Sequence, residues 1–341
     1  MKKYLYKFKI ISVLFLFSIN YFGLTANDYF KIDNLMDSLK NYNKVSQDSN
    51  EIIKLETDAF AFNSLGIMKC EMGNYKLAIL DFNKAIELNP VYEDAFNNRG
   101  TAKDKLGDYS GAILDYNKAI ELRHDFAEAY NNRGSTKNRL TDYSGAIPDF
   151  NKSIELNPLY IGAYYNRGVA KANLNDYNGA ILDYNKAIEL KPDYLDAYNN
   201  RGSAKINLGY YRGAILDLNK VIELKPDIAM AYYNRGFAKF GLSDFKGAII
   251  DYDKAIELQP DYLDAYVNRG NAKNNLNDFS SAILDFNKVI ELNPNNANAY
   301  YFRAFSKYSL GDINGSCLDL RKASELGIIA ANIYIKEHCK K

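Results

Sequence analysis

Ala129-Tyr130-Asn131-Asn132-Arg133-Gly134, Ala163-Tyr164-Tyr165-Asn166-Arg167-Gly168 and Ala197-Tyr198-Asn199-Asn200-Arg201-Gly202 are three copies of one phrase. Its glycine recurs at Gly66, Gly100, Gly134, Gly168, Gly202, Gly236 and Gly270, each 34 residues after the last, and Ala304 takes the eighth place. A fixed period of this length marks a supersecondary unit that stacks on copies of itself, so the chain grows by addition and not by enlarging one core.

Each unit holds two segments of helical period. The first begins near the aromatic residue and ends at a turn such as Leu106-Gly107-Asp108 or Leu174-Asn175-Asp176. Gly or Asn there supplies the left-handed residue that closes a helix, and the Asp that follows is placed to cap the next one. The second segment, as in residues 177–190, carries apolar residues at helical spacing. It stops before Asn157-Pro158 or Lys191-Pro192, because proline disfavours helix in the residue ahead of it.

Eight in-phase copies over residues 59–326 resemble the tetratricopeptide repeat (TPR) family, whose unit carries an aromatic, Leu-Gly, Ala, aromatic, Pro pattern. The matching residues in the fourth unit are Tyr164, Gly168, Ala180, Tyr184, Ala187 and Pro192. Tyr or Phe stands where that family has Trp, and Lys69 through Lys307 hold a place where it prefers Tyr. Arg replaces Leu before the glycine in units two to eight. The resemblance implies an all-α fold, a right-handed superhelical α-solenoid of helix–turn–helix repeats. The expected units are 59–92, 93–126, 127–160, 161–194, 195–228, 229–262, 263–296 and 297–326. Residues 327–341 are expected to form a capping helix, apolar toward the array and polar outward.

A glycine inside a helix costs about 1 kcal/mol relative to Ala, so its recurrence points to a place without room for a side chain. Ala78, Ala112, Ala146, Ala180, Ala214, Ala248 and Ala282 are the expected small residues opposite, implying close backbone approach. The arginine has a companion in Asp81, Asp115, Asp149, Asp183, Asp217, Asp251, Asp285 and Asp319. The first unit has Leu65 in place of Arg. That asymmetry favours pairing between neighbours, Asp81 with Arg99 through Asp285 with Arg303; pairing within each unit is the alternative. Pro148, where other units have Leu or Ile, is expected to bend its helix, and His124 is expected to be a solvated loop residue.

Residues 1–26 read as a secretory signal peptide: basic over 2–9, mostly apolar over 10–17, and closed by Leu24-Thr25-Ala26. Cleavage is expected after Ala26; an uncleaved membrane anchor is the alternative. Either places the repeats in an extracytoplasmic space, periplasmic or secreted. Within 27–58, residues 28–40 are expected to form a helix and 41–50 a linker. Cys317 and Cys339 lie ten residues before and twelve after the turn at Gly327, positions that meet in an antiparallel helix pair. A Cys317–Cys339 disulfide is expected there, which requires an oxidising compartment; two buried thiols are the alternative.

The 43 Lys+Arg and 42 Asp+Glu nearly cancel. Without the signal segment's four lysines the balance is 39 against 42, which gives no electrostatic footprint for nucleic acid. With only His124 and His338 and no Trp, histidine-based catalysis is almost excluded by inventory. No phosphate loop, metal cluster or nucleophile–base pair is read, so no catalytic, metal or cofactor residue is assigned. The residues left to meet a partner stand two before the glycine: Asn98, Asn132, Asn166, Asn200, Asn234 and Asn268. Helix spacing stacks them along the face built by the first helices. An amide offers donor and acceptor, so such a row holds an extended peptide backbone whatever its side chains. Tyr165, Tyr233 and Tyr301 add flat contact area, and Asp94, Glu128, Asp196 and Asp264 favour a basic or amine-bearing ligand. Asparagines that are merely solvated, or that bond their own repeat, are the alternative. Relatives that clamp a chaperone's C-terminal carboxylate use Lys and Arg on this face, where this chain has Asn, Asp or neutral residues. The expected function is a non-enzymatic scaffold for a peptide or protein partner, without membrane insertion after signal cleavage. A self-associating structural solenoid of the cell envelope is the second reading.

Overall fold

The computed structural model describes residues 47–339, and the regular structure among them is helical throughout. Seventeen helices follow one another: α1 (Gln47–Glu71), α2 (Tyr75–Leu88), α3 (Glu93–Lys105), α4 (Tyr109–Leu122), α5 (Ala127–Arg139), α6 (Tyr143–Leu156), α7 (Ile161–Asn173), α8 (Tyr177–Leu190), α9 (Leu195–Asn207), α10 (Tyr211–Leu224), α11 (Ala229–Gly241), α12 (Phe245–Leu258), α13 (Leu263–Asn275), α14 (Phe279–Leu292), α15 (Ala297–Ser309), α16 (Ile313–Glu325) and α17 (Ala331–His338). The expected signal peptide (1–26) and the helix expected over 28–40 lie outside the described residues. Residues 47–50, read as linker, are helical and open α1. Among the described residues no helix is long and apolar enough to cross a membrane.

The chain divides into two compact units, one ending at Leu122 and the other beginning at Arg123. Within each, odd-numbered helices pack on the even-numbered helix that follows, each pair packs on the next, and successive odd-numbered helices also touch. The turns explain this regularity. Gly107 (φ 83°) and Asn175 (φ 62°) are left-handed, and the N–H groups of Gly107 and Asp108 bond the carbonyls of Asp104 and Lys103. Thr141 (φ 60°) and Ser243 (φ 61°) occupy the same place without glycine's freedom. Asp108, Asp142, Asp176, Asp244, Asp278 and Asp312 then accept the N–H three residues on, at 2.8–3.2 Å. α6 runs unbroken through Pro148, which is exposed like Leu114 and Leu182 in other units. His124 is exposed in a turn.

One large side chain from each even-numbered helix fills its repeat: Phe82, Tyr116, Phe150, Tyr184, Leu218, Tyr252, Phe286 and Leu320. This corrects the reason for the glycines. A Cβ on Gly168 would lie 2.7 Å from the Tyr184 ring and one on Gly134 2.8 Å from the Phe150 ring. A ring face, not the backbone opposite Ala180, occupies the space. Only at Gly236 does a backbone atom, the Ala248 carbonyl at 3.2 Å, stand among the three nearest. Leu218 leaves more room, 3.2 Å from a Cβ on Gly202. In the last repeat Leu320 faces Ala304, and both are buried. Where the ring shrinks to Leu, a methyl fits.

The arginine pairs within its own unit, not with the neighbour's aspartate. Arg167 Nε and Nη2 donate to Asp183 Oδ2 and Oδ1 at 3.0 and 2.6 Å, and Arg99–Asp115, Arg133–Asp149, Arg201–Asp217, Arg235–Asp251, Arg269–Asp285 and Arg303–Asp319 repeat the fork. The third nitrogen reaches back one repeat: Arg167 Nη1 donates to Asn151 Oδ1 at 2.7 Å, and Arg201, Arg235 and Arg303 do the same to Asn185, Asn219 and Asn287. Arg269 reaches Asp253 instead. The 16-residue offset forward keeps guanidinium and carboxylate at one level of the helix pair. The recurrent lysine joins them, Lys171 Nζ lying 2.8 Å from Asp183 Oδ2. Each aspartate is buried. In the first unit, which has Leu65 in place of arginine, Lys69 pairs with Asp81 among the described residues.

A candidate peptide-binding face and an aromatic pocket

The odd-numbered helices carry the asparagine row. Asn98, Asn132, Asn166, Asn200, Asn234 and Asn268 are all half-buried. The first lies in the unit that ends at Leu122; the other five lie in the second unit. Their amides knit repeats together. Asn98 Nδ2 donates to Asn63 Oδ1 at 3.0 Å and Asn166 Nδ2 to Asn131 Oδ1 at 3.0 Å. Asn200 donates to the Tyr165 hydroxyl at 3.0 Å, and Asn268 to that of Tyr233 at 2.9 Å. Asn132 Oδ1 accepts from Asn131 at 3.3 Å. The ladder skips one step, because Asn199 Oδ1 is buried with no hydrogen-bond partner and so receives nothing from Asn234.

One N–H each of Asn98, Asn166, Asn200 and Asn268 is therefore used inside the protein. What these amides keep for a ligand is the carbonyl acceptor and a second N–H. Tyr165 and Tyr233 are held as firmly. Their ring centroids lie 5.0 Å from Tyr194 and 4.9 Å from Tyr262. Burial raises both phenol pKa values, the charges of Asp196 and Asp264 add to this, and the asparagine hydrogen bonds oppose it. Tyr194 and Tyr262 are pushed up to about 12, again mainly by burial. These tyrosines are neutral donors at physiological pH. Asp196 and Asp264 are exposed beside them.

The second unit also holds a feature that residue-by-residue reading missed. A cavity of about 550 Å³ opens between α13, α15 and α17. Tyr301, Phe302, Phe305 and Tyr308 form one wall, Tyr334 and His338 of α17 another, and Asn271, Asn274 and Asn275 a polar edge. α17 starts at Ala331, later than the sequence implied, after a turn at 328–330. Cys317 and Cys339 are joined, with Cα atoms 5.6 Å apart, fastening the end of α17 to α16. Tyr308 Oη lies 3.4 Å from His338 Nδ1, and Tyr301 meets Tyr334 edge-on at 6.2 Å. The available signal was the break in the repeat phrase, where Phe302 replaces the asparagine.

A stack of antiparallel helix pairs with a side-chain-lined face is the architecture of a helical-repeat interaction scaffold. TPR repeat models match residues 103–140 and 171–209, and tetratricopeptide repeat models match 62–92, 127–158, 195–228, 229–262 and 263–296. Together these take in more than half of the chain, which belongs to the tetratricopeptide repeat family, a fold that serves protein interaction. Among solved structures, a tetratricopeptide repeat protein from Parabacteroides merdae is 18% identical over 73% of this chain and 99% of its own, with a TM-score of 0.54. Pseudomonas aeruginosa pilF is 17% identical over 61% and 94%, with a TM-score of 0.56. YrrB, a TPR protein with an unusual peptide-binding site, is 27% identical over 54% and 95%, with a TM-score of 0.49. No curated protein matches the sequence.

Proposed function

We propose that this protein is a non-enzymatic scaffold that receives an extended peptide or protein segment along its asparagine-lined helical face, in an extracytoplasmic compartment. The observation that carries the reading is the row itself. Half-buried amides recur at one helical level, and hydrogen bonds to the preceding repeat hold those of Asn166, Asn200 and Asn268 in a fixed orientation. Pre-oriented acceptors suit the backbone N–H groups of a strand-like ligand, since little side-chain freedom is then lost on binding. Exposed Asp196 and Asp264 favour a ligand with basic groups. The compartment rests on the signal-like 1–26 segment and on the Cys317–Cys339 bridge, which persists in oxidising surroundings.

The direct test is co-purification from the envelope fraction with the native chain and with a variant in which Asn166, Asn200 and Asn234 are alanine. Loss of the captured partner with helicity and melting preserved supports the row as the site. Unchanged capture moves the site elsewhere. Intact mass of the unreduced protein tests the compartment: a mature N-terminus at Asn27 and no alkylatable thiol at 317 and 339 are expected.

A further inference from the structure

We propose that the pocket between α13, α15 and α17 is the anchor site for an aromatic side chain of the bound peptide. The proposal rests on the scaffold reading above and adds to it a place and a residue class.

The pocket continues the row and changes its chemistry. Asn166, Asn200, Asn234 and Asn268 stand at one level of four successive first helices; the next residue at that level is Phe302, which lines the cavity. Backbone-directed amides thus give way to an aromatic recess. Its volume, about 550 Å³, falls within the range of about 300–1,000 Å³ typical of ligand-holding sites. Phe305 is 54% exposed and Tyr334 45% exposed, so both walls present ring surface to solvent.

The polar edge selects the occupant. Asn274 is buried and already accepts from Ser306 Oγ at 2.7 Å, while Asn275 is exposed with one N–H bonded to the Asn271 carbonyl. Neutral amides at the edge of a ring-lined recess match an apolar side chain attached to a polar peptide backbone. Edge-to-face packing favours an aromatic side chain over an aliphatic one. The wall of α17 is only eight residues long, too short to hold helix in isolation, and the Cys317–Cys339 bridge keeps it in place.

The protein contains no tryptophan, which makes the experiment clean. The probe is an acetylated, amidated Ser/Ala peptide with one central tryptophan, titrated with the full chain while its fluorescence is followed; the same peptide with alanine in that place is the control. Saturable binding with a blue-shifted emission is expected for the tryptophan peptide, and affinity lower by about tenfold or more for the control. Phe305→Asp and, on the opposite wall, Tyr334→Ala are each expected to weaken the tryptophan peptide by a similar factor, with far-UV circular dichroism and melting unchanged. Equal affinity for both peptides, no binding at all, or indifference to both variants overturns the proposal. The Asn166, Asn200 and Asn234 to Ala variant separates the two readings. Should it bind the tryptophan peptide like the native chain while Phe305→Asp does not, the anchor stands and the asparagine row falls.

Discussion

The interior repeat 161–194 and the terminal repeat 297–326 share a charge cluster and differ in nearly everything around it. Arg167 forks onto Asp183 with Lys171 alongside, and Arg303 forks onto Asp319 with Lys307 in the same place. Around that cluster the interior repeat has Gly168 beneath Tyr184 and Asn166 bonded back to Asn131. The terminal repeat has Ala304 beside Leu320, and Phe302 beside a cavity. The Arg–Asp–Lys cluster is the part that the interior and terminal repeats hold in common. Core volume and the exposed helical face vary around it.

The largest effect should come from breaking the shared part. Asp183→Ala leaves Arg167 and Lys171 facing a half-dry site without a counter-charge, and a loss of about 3–5 kcal/mol is expected. Asp319→Ala should cost a similar amount, and urea unfolding of both variants checks it. Next comes the feature found only at the terminal end. Replacing Cys317 and Cys339 by serine opens a link spanning 22 residues of sequence, which should cost about 2–4 kcal/mol. Amide exchange should rise over Ala331–His338 and stay unchanged over Ile161–Asn173. Third, Gly168→Ala drives a methyl into the Tyr184 ring, an overpacking cost of about 1–3 kcal/mol. Gly202→Ala meets only Leu218 at 3.2 Å and should be near neutral, since alanine's helix propensity returns about 1 kcal/mol. The double change Gly168→Ala with Tyr184→Leu copies the terminal Ala304 and Leu320 and should recover part of the loss. The smallest effect concerns a hydroxyl. Tyr252 Oη is buried without a hydrogen-bond partner, and Phe150 and Phe286 serve in the same place. Tyr252→Phe should therefore raise stability by about 1 kcal/mol in thermal melts.

The fold was legible because the 34-residue period, the Gly or Asn turn and the Pro that follows six of the eight second helices mark the same boundaries. The partner of each arginine was not. Asp115 lies 16 residues after Arg99 and Asp81 lies 18 before it, and one-dimensional spacing ranks them nearly equally. Only the levels at which two antiparallel helices face each other decide between them. The lysine was visible as an oddity at Lys69 through Lys307, yet its role depends on which aspartate the arginine takes. The glycine was read correctly as a packing residue and assigned to the wrong neighbour, because the ring that needs the space sits four residues beyond the alanine that faces it in sequence logic. The aromatic pocket was least legible. It is made of departures from the repeat, Phe302, Phe305 and Tyr308, together with a short helix that belongs to no repeat.

The arginine's third nitrogen reaches backward, from Arg167 to Asn151 and from Arg201 to Asn185, and the amides of Asn166 and Asn200 do likewise. The chain emerges from the ribosome with its N-terminus first. Each new repeat therefore arrives carrying arginine and asparagine donors that fasten it to the repeat already made, and at one joint the older repeat adds a donor of its own, Asn138 Nδ2 to the Asn166 carbonyl. Assembly of the array has a direction written into its chemistry, and folding during synthesis can close one joint at a time without waiting for sequence still to come.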